Sequence, residues 1–158
     1  MDDDYREIAN IVGLFSHHID ERDFAALAAL FSDLTYRSNG IDYAVSGEDD
    51  LAIFYERVVD EANVRFAGDP EDAKTVQHQH VFTNLVVEIA DDRETATCSY
   101  YGTVYAHSAR KPHTARWSGR YQDQFRRIND RRLPNGIPPC GQRATVAFRR
   151  SRGVERAP

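Results

Sequence analysis

Two residues in this chain have the types and settings needed for proton chemistry. Asp20 lies in Phe15-Ser16-His17-His18-Ile19-Asp20-Glu21-Arg22-Asp23-Phe24, where one amphipathic segment stops and another begins. His80 lies in Gln77-His78-Gln79-His80-Val81-Phe82-Thr83-Asn84, at the start of a strand pattern. A neutral imidazole titrates near physiological pH and can take a proton. A carboxylate on its other ring nitrogen fixes the tautomer and stabilises the imidazolium that forms. Brought together, the two could take a proton from carbon and drive elimination, isomerisation or hydration without metal or nucleotide. Kept apart, they are an ordinary acid and an ordinary histidine. Tyr36, Tyr43, Tyr100, Tyr101, Tyr105 and Tyr121 fall in or beside strand patterns. A buried tyrosine hydroxyl could donate to a carbonyl or leaving group, although most such tyrosines simply pack a sheet.

The elements that must position these groups follow from periodicity. Ile8, Ile11, Val12, Phe15 and Ile19 make one apolar stripe and predict a helix over 4–19. Asp20 then sits at the negative end of the helix dipole, a placement with no stabilising rationale. Asp23 is the better cap, for a second helix over about 23–32. Short strands over 34–37 and 41–45 flank the turn signal Asn39-Gly40, and Gly47 precedes a third helix over 48–65. A polar loop is expected over 67–74.

The second half reads as β: 76–90, 95–107 and 114–128, with a candidate last strand at 144–149 after a Pro/Gly-rich loop. Alternation places His78, His80, Phe82, Asn84 and Val86 on one face of the first long strand. The other face is more apolar beyond residue 80, which would turn His80 to solvent. Alternatively both faces are covered, one lining a polar pocket and the other packing on another sheet, most simply in a dimer. Helices followed by a meander of antiparallel strands imply an α+β domain, a curved sheet around about three helices with a pocket at the open end of a cone.

At 158 residues the chain fits one domain, and 41% hydrophobic with 28% charged residues is ordinary for a globular protein. No apolar run approaches membrane-spanning length, so no membrane role and a cytoplasmic location are expected. Cys98 and Cys140 are too few for a disulfide framework or zinc site. The net charge of -5 hides nine arginines against two acids over 126–158. That basic tail lacks interleaved aromatics, so nucleic-acid binding is not expected. No Gly-rich phosphate loop, Gly-x-Ser-x-Gly elbow or His-Glu-x-x-His pattern occurs. His17-His18 cannot share a helix face, and no metal site or cofactor is expected.

Three stretches resemble the SnoaL-like branch of the nuclear transport factor 2-like superfamily. They are Ile19–Leu27 through Leu30-Phe31, His80-Val81-Phe82-Thr83-Asn84, and Gly119-Arg120-Tyr121-Gln122-Asp123-Gln124-Phe125. The resemblance implies a cone-shaped α+β barrel with a deep apolar pocket, commonly oligomeric. In dehydratase and dehydrochlorinase members an Asp at the helix junction pairs with the His opening the long strand, and Asp20 and His80 match those positions. It implies a dehydratase-type lyase acting on an apolar cyclic small molecule, or an isomerase, cyclase or epoxide hydrolase, or a non-catalytic binding or assembly module. His80 and Asp20 are then the catalytic candidates, and Tyr36, Phe15, Asn84, Tyr100, Tyr121 and Phe54 the substrate-binding candidates. The barrel domain would span 1–130, followed by a basic loop and tail over 131–158 in which the family's last strand is displaced or missing.

Overall fold

The apolar stripe near the N-terminus forms α1 (Asp3–Asp20), with Ile8, Val12, Phe15 and Ile19 buried. In this computed structural model residues 3–31, 33–38, 41–127 and 143–148 are described; of 33–38, 41–44, 46, 127 and 143–148 only the backbone is. The buried Asp4 carboxylate accepts a hydrogen bond of 2.5 Å from Arg93, tying the start of α1 to a distant hairpin turn. α2 (Phe24–Ala28) is capped by Asp23, whose carboxylate accepts the Ala26 N–H at 3.0 Å. It is shorter than periodicity predicts. Leu30 and Phe31 donate to the carbonyls of Leu27 and Ala28, so the last turn tightens to three-residue bonds.

β1 (Asp33–Ser38) and β2 (Ile41–Ser46) form a separate antiparallel pair with Tyr36 opposite Tyr43. Their Asn39-Gly40 connection lies outside the described residues. α3 (Glu48–Ala67) runs between Gly47 and Gly68, the latter left-handed at φ 72° as the C-cap. Three acids open it and Arg65 closes it, both favourable to the helix dipole. The expected polar loop contains a single helical turn, α4 (Pro70–Ala73), capped by Asp69.

β3 (Gln77–Ile89), β4 (Thr95–His107) and β5 (Thr114–Arg127) form the antiparallel core of a four-stranded sheet completed by β6 (Arg143–Phe148). β6 departs from the expected meander, because it runs parallel to β5. A parallel neighbour needs a connection of about a dozen residues or more, and residues 128–142 supply that length. The architecture is α+β, helices first and a curved, mainly antiparallel sheet after.

Strict alternation fails in β3, and the failure shapes the site. His78, His80 and Phe82 turn inward, and after them Leu85, Val87 and Ile89 do. Between the two sets lies a β-bulge, where pairing with β4 slips between Thr83 and Val86 and Asn84 takes φ 56°. Asparagine is among the few non-glycine residues that accept this left-handed conformation readily. The bulge inserts one residue, so both halves of β3 present their larger side chains to the core.

On the inner face Gly102 lies opposite Gly119. A Cβ at Gly102 would fall 2.3 Å from the Tyr121 ring and 2.9 Å from Phe82; one at Gly119 would fall 2.6 Å from Trp117. The two glycines let aromatic rings lie flat across the backbone. The core joins the buried faces of α1, α2 and α3 to Ala96, Cys98, Tyr100, Tyr121 and Phe125. Burial pushes the Cys98 thiol up to about 12, which makes it a packing residue and not a nucleophile.

Candidate active site

Asp20 owes its position to the end of α1. The Arg22 N–H donates to the Ile19 carbonyl and the Asp23 N–H to the His18 carbonyl, with Arg22 left-handed at φ 59°. This is a Schellman-type stop with arginine where glycine is usual. Asp23 then starts α2 as its N-cap, so Asp20 is held between two capped ends. Arg22 also contacts Asp60 at 2.7 Å, an exposed pair that adds little stability.

The carboxylate of Asp20 meets His80 twice. Its Oδ1 lies 2.6 Å from His80 Nδ1, and its Oδ2 accepts the His80 backbone N–H at 2.9 Å. A carboxylate is an acceptor, so Nδ1 carries the ring proton and Nε2 is left with its lone pair. The two donors also answer the unfavourable placement of a negative charge at a helix C-terminus. The His80 side chain is 10% exposed and that of Asp20 22%. Of the two orientations left open by alternation, His80 takes the inward one.

Aromatic rings surround His80. Phe15 from α1 meets it edge-on at 6.3 Å and Phe82 lies 6.2 Å away. Phe15 also contacts Tyr55 of α3 at 6.2 Å, and Phe54 packs edge-on to Tyr55 at 5.6 Å. Phe82 leads on to Tyr100 (5.0 Å) and Tyr121 (5.3 Å), which stack on each other at 5.1 Å. Trp117 closes against Tyr121 at 5.0 Å. Phe15 is therefore in direct ring contact with His80, and Tyr121 is joined to it through Phe82. Phe54 stands two ring contacts further back in the core.

Two of the expected substrate contacts are placed otherwise. Asn84 is exposed at the bulge, because the extra residue turns it out of the face that carries His80. The Tyr100 hydroxyl donates at 2.6 Å to Oδ2 of Asp123, so it is already engaged. The side chain of Tyr36 lies outside the described residues.

The structure also brings forward residues that sequence reasoning left without a role. Asp123 is fully buried, and its Oδ1 has no hydrogen-bond partner among the described residues. Burial pushes its carboxyl up to about 7, partly offset by the Tyr100 hydrogen bond. A signal existed: Tyr121, Asp123 and Phe125 share one strand face, and an acid between two aromatics there faces the core. His78 faces inward beside His80, with the two rings edge-on at 6.3 Å. Burial, and then the neighbouring His80, push the His78 imidazole down to about 4; Asp20 opposes this and Arg22 adds to it. Among the described residues no cluster of three or more His, Cys, Asp or Glu is placed to hold a metal ion. No helix among them is long and apolar enough to cross a membrane.

Residues 3–131 match the family described as the SnoaL-like domain. No curated protein matches the chain. Among solved structures it is similar to ActVI-ORFA from Streptomyces coelicolor, at 22% identity and a TM-score of 0.61, covering 91% of this chain and 96% of that one. Aln2 from another Streptomyces species is similar at 23% identity and a TM-score of 0.62, covering 91% and 89%. A scytalone dehydratase-like protein from Novosphingobium aromaticivorans matches at 15% identity and a TM-score of 0.58, covering 91% and 83%. These likenesses show a shared fold.

Proposed function

The chain belongs to the SnoaL-like domain family, whose fold includes polyketide cyclases and dehydratases, and on that footing we propose that it is a cofactor-independent lyase. Its substrate is an apolar, cyclic small molecule carrying a hydroxyl one carbon removed from an acidified C–H. The observation that carries this reading is the double grip of Asp20 on His80, which leaves Nε2 as a free base among aromatic rings.

The chemistry follows from that geometry. His80 Nε2 takes the proton from carbon, and the C–H electron pair moves toward the activating carbonyl. Asp20 stabilises the imidazolium. The β C–O bond then breaks, and the hydroxyl leaves with the proton that His80 returns. The aromatic rings leave the His80 side chain only 10% exposed, so the base is largely shielded from bulk solvent.

The test is to incubate the protein with hydroxylated cyclic ketones and measure product mass. The expected product has lost one water, and Asp20→Ala protein should form almost none. A product of unchanged mass would replace the lyase with an isomerase or cyclase, and a gain of water would replace it with a hydratase or epoxide hydrolase. Ligand binding with no turnover at all would leave a binding module.

A second copy of the chain is the proposed cover for the outer sheet face, where Val81, Val86 and Tyr101 are exposed. Solution mass measurement should give a dimer or trimer; a monomer at micromolar concentration would remove this proposal.

A further inference from the structure

The dyad leaves one inward-facing imidazole unused. His78 precedes His80 by two residues on β3, so both rings point to the same side of the sheet. His78 is half-buried and its ring meets His80 edge-on at 6.3 Å. Its ring nitrogens have no hydrogen-bond partner among the described residues, whereas Nδ1 of His80 is held by Asp20. Two imidazoles side by side with one carboxylate cannot both carry a proton cheaply. The carboxylate is bonded to Nδ1 of His80, so a proton taken from carbon is stabilised on that ring. Burial and the neighbouring His80 push the His78 imidazole down to about 4, with Asp20 opposing this and Arg22 adding to it, so His78 is neutral at physiological pH. Paired groups whose environments drive their titrations apart are how acid and base roles divide within one site.

We propose that His78 is a second catalytic residue: a neutral imidazole whose N–H donates to the substrate oxygen that gains negative charge while His80 removes the proton. This rests on the lyase reading. When the C–H bond breaks, its electron pair delocalises onto the carbonyl oxygen, and the His78 hydrogen bond strengthens as that charge develops. His78 keeps its own proton throughout. The proton from carbon resides on His80 and leaves with the hydroxyl as water, so atoms and charge balance.

2-Naphthol serves as the probe, because it joins an apolar fused ring to an oxygen resembling the enol of a cyclic ketone. Binding to ¹⁵N-histidine-labelled protein should shift the ring nitrogens of both His78 and His80. His78→Phe keeps a flat ring and removes the donor; it should weaken binding roughly tenfold, the loss of one hydrogen bond. His78→Gln restores a neutral donor and should bind within about threefold of the parent, by the same measure. A residue that merely fills space would give the reverse order, with Phe tolerated and Gln not.

If His80 resonances move while those of His78 stay fixed and His78→Phe binds normally, this inference is overturned and the dyad reading stands. If the probe does not bind, or binds without moving either histidine, both the inference and the apolar cyclic substrate class are overturned. Circular dichroism of each variant separates these outcomes from misfolding, with His78→Gln as the safeguard should His78→Phe not fold.

Discussion

His80→Gln protein should retain substrate affinity and lose turnover by roughly 10²–10⁴-fold, the usual contribution of a positioned general base. Glutamine is neutral and close to histidine in length, so the space between Phe15 and Phe82 stays filled. What disappears is the Nε2 lone pair. The effect should fall on kcat and leave KM little changed, since proton removal is an event of the transition state. Asp20→Asn should lose a similar factor for a different reason. An asparagine NH₂ facing Nδ1 favours the tautomer with the proton on Nε2, which presents the substrate with a donor where a base is needed. The double variant should be little worse than either single one, because the two residues act as one unit. Single-turnover rates with product mass as the readout check all three variants. Full activity in His80→Gln would end the assignment.

The second large effect concerns stability. Asp123 has a folded-state value of about 7 against an ordinary 3.8. The folded protein thus binds a proton that the unfolded chain has released, across roughly pH 4 to 7. Stability from this group is fully present below pH 4 and is lost as pH rises through 7. The loss above pH 8 is on the order of 4 kcal/mol. Asp123→Asn keeps the shape and can accept the Tyr100 hydrogen bond, but has no charge to bury. It should match the parent at pH 5 within about 1–2 kcal/mol and exceed it clearly at pH 8.5. Urea unfolding at the two pH values checks this, and equal stability of the two proteins at pH 8.5 would refute it. His78 works in the opposite sense. Its folded value is depressed from 6.5 to about 4, so its contribution is present above pH 6.5 and lost on descending toward 4. The parent should therefore show a flatter profile over pH 4 to 6.5 than Asp123→Asn, in which the rise due to His78 is unmasked.

Much of the fold was legible because each element carried a local signal. The apolar stripe gave α1 and the Asp23 cap gave the start of α2. Alternation gave the three long strands to within a residue or two. The direction of β6 was not legible, since a strand pattern carries no sign for parallel or antiparallel pairing. Asp20 and His80 could be named from type and setting, but their separation of 60 positions put the contact itself beyond any local pattern. Alternation also misplaced Asn84, because it assumes one residue per step and a bulge takes two. The same asparagine was the clue, as one of the few side chains at ease with positive φ. The Tyr100–Asp123 pair escaped for a related reason: each residue was read on its own strand, and what matters is that they meet across two.

The bulge works as a change of frame in the strand. Upstream of Asn84 the even-numbered residues of β3 face inward; downstream the odd-numbered ones do. One strand is thereby divided into two stretches with separate obligations. His78, His80 and Phe82 belong to the proposed site, and Leu85, Val87 and Ile89 pack against the apolar core. A library that varies the upstream even positions can reshape selectivity without disturbing the apolar layer downstream. Deleting a single residue between Phe82 and Leu85 would force the two stretches into one frame, so one set would have to turn out to solvent.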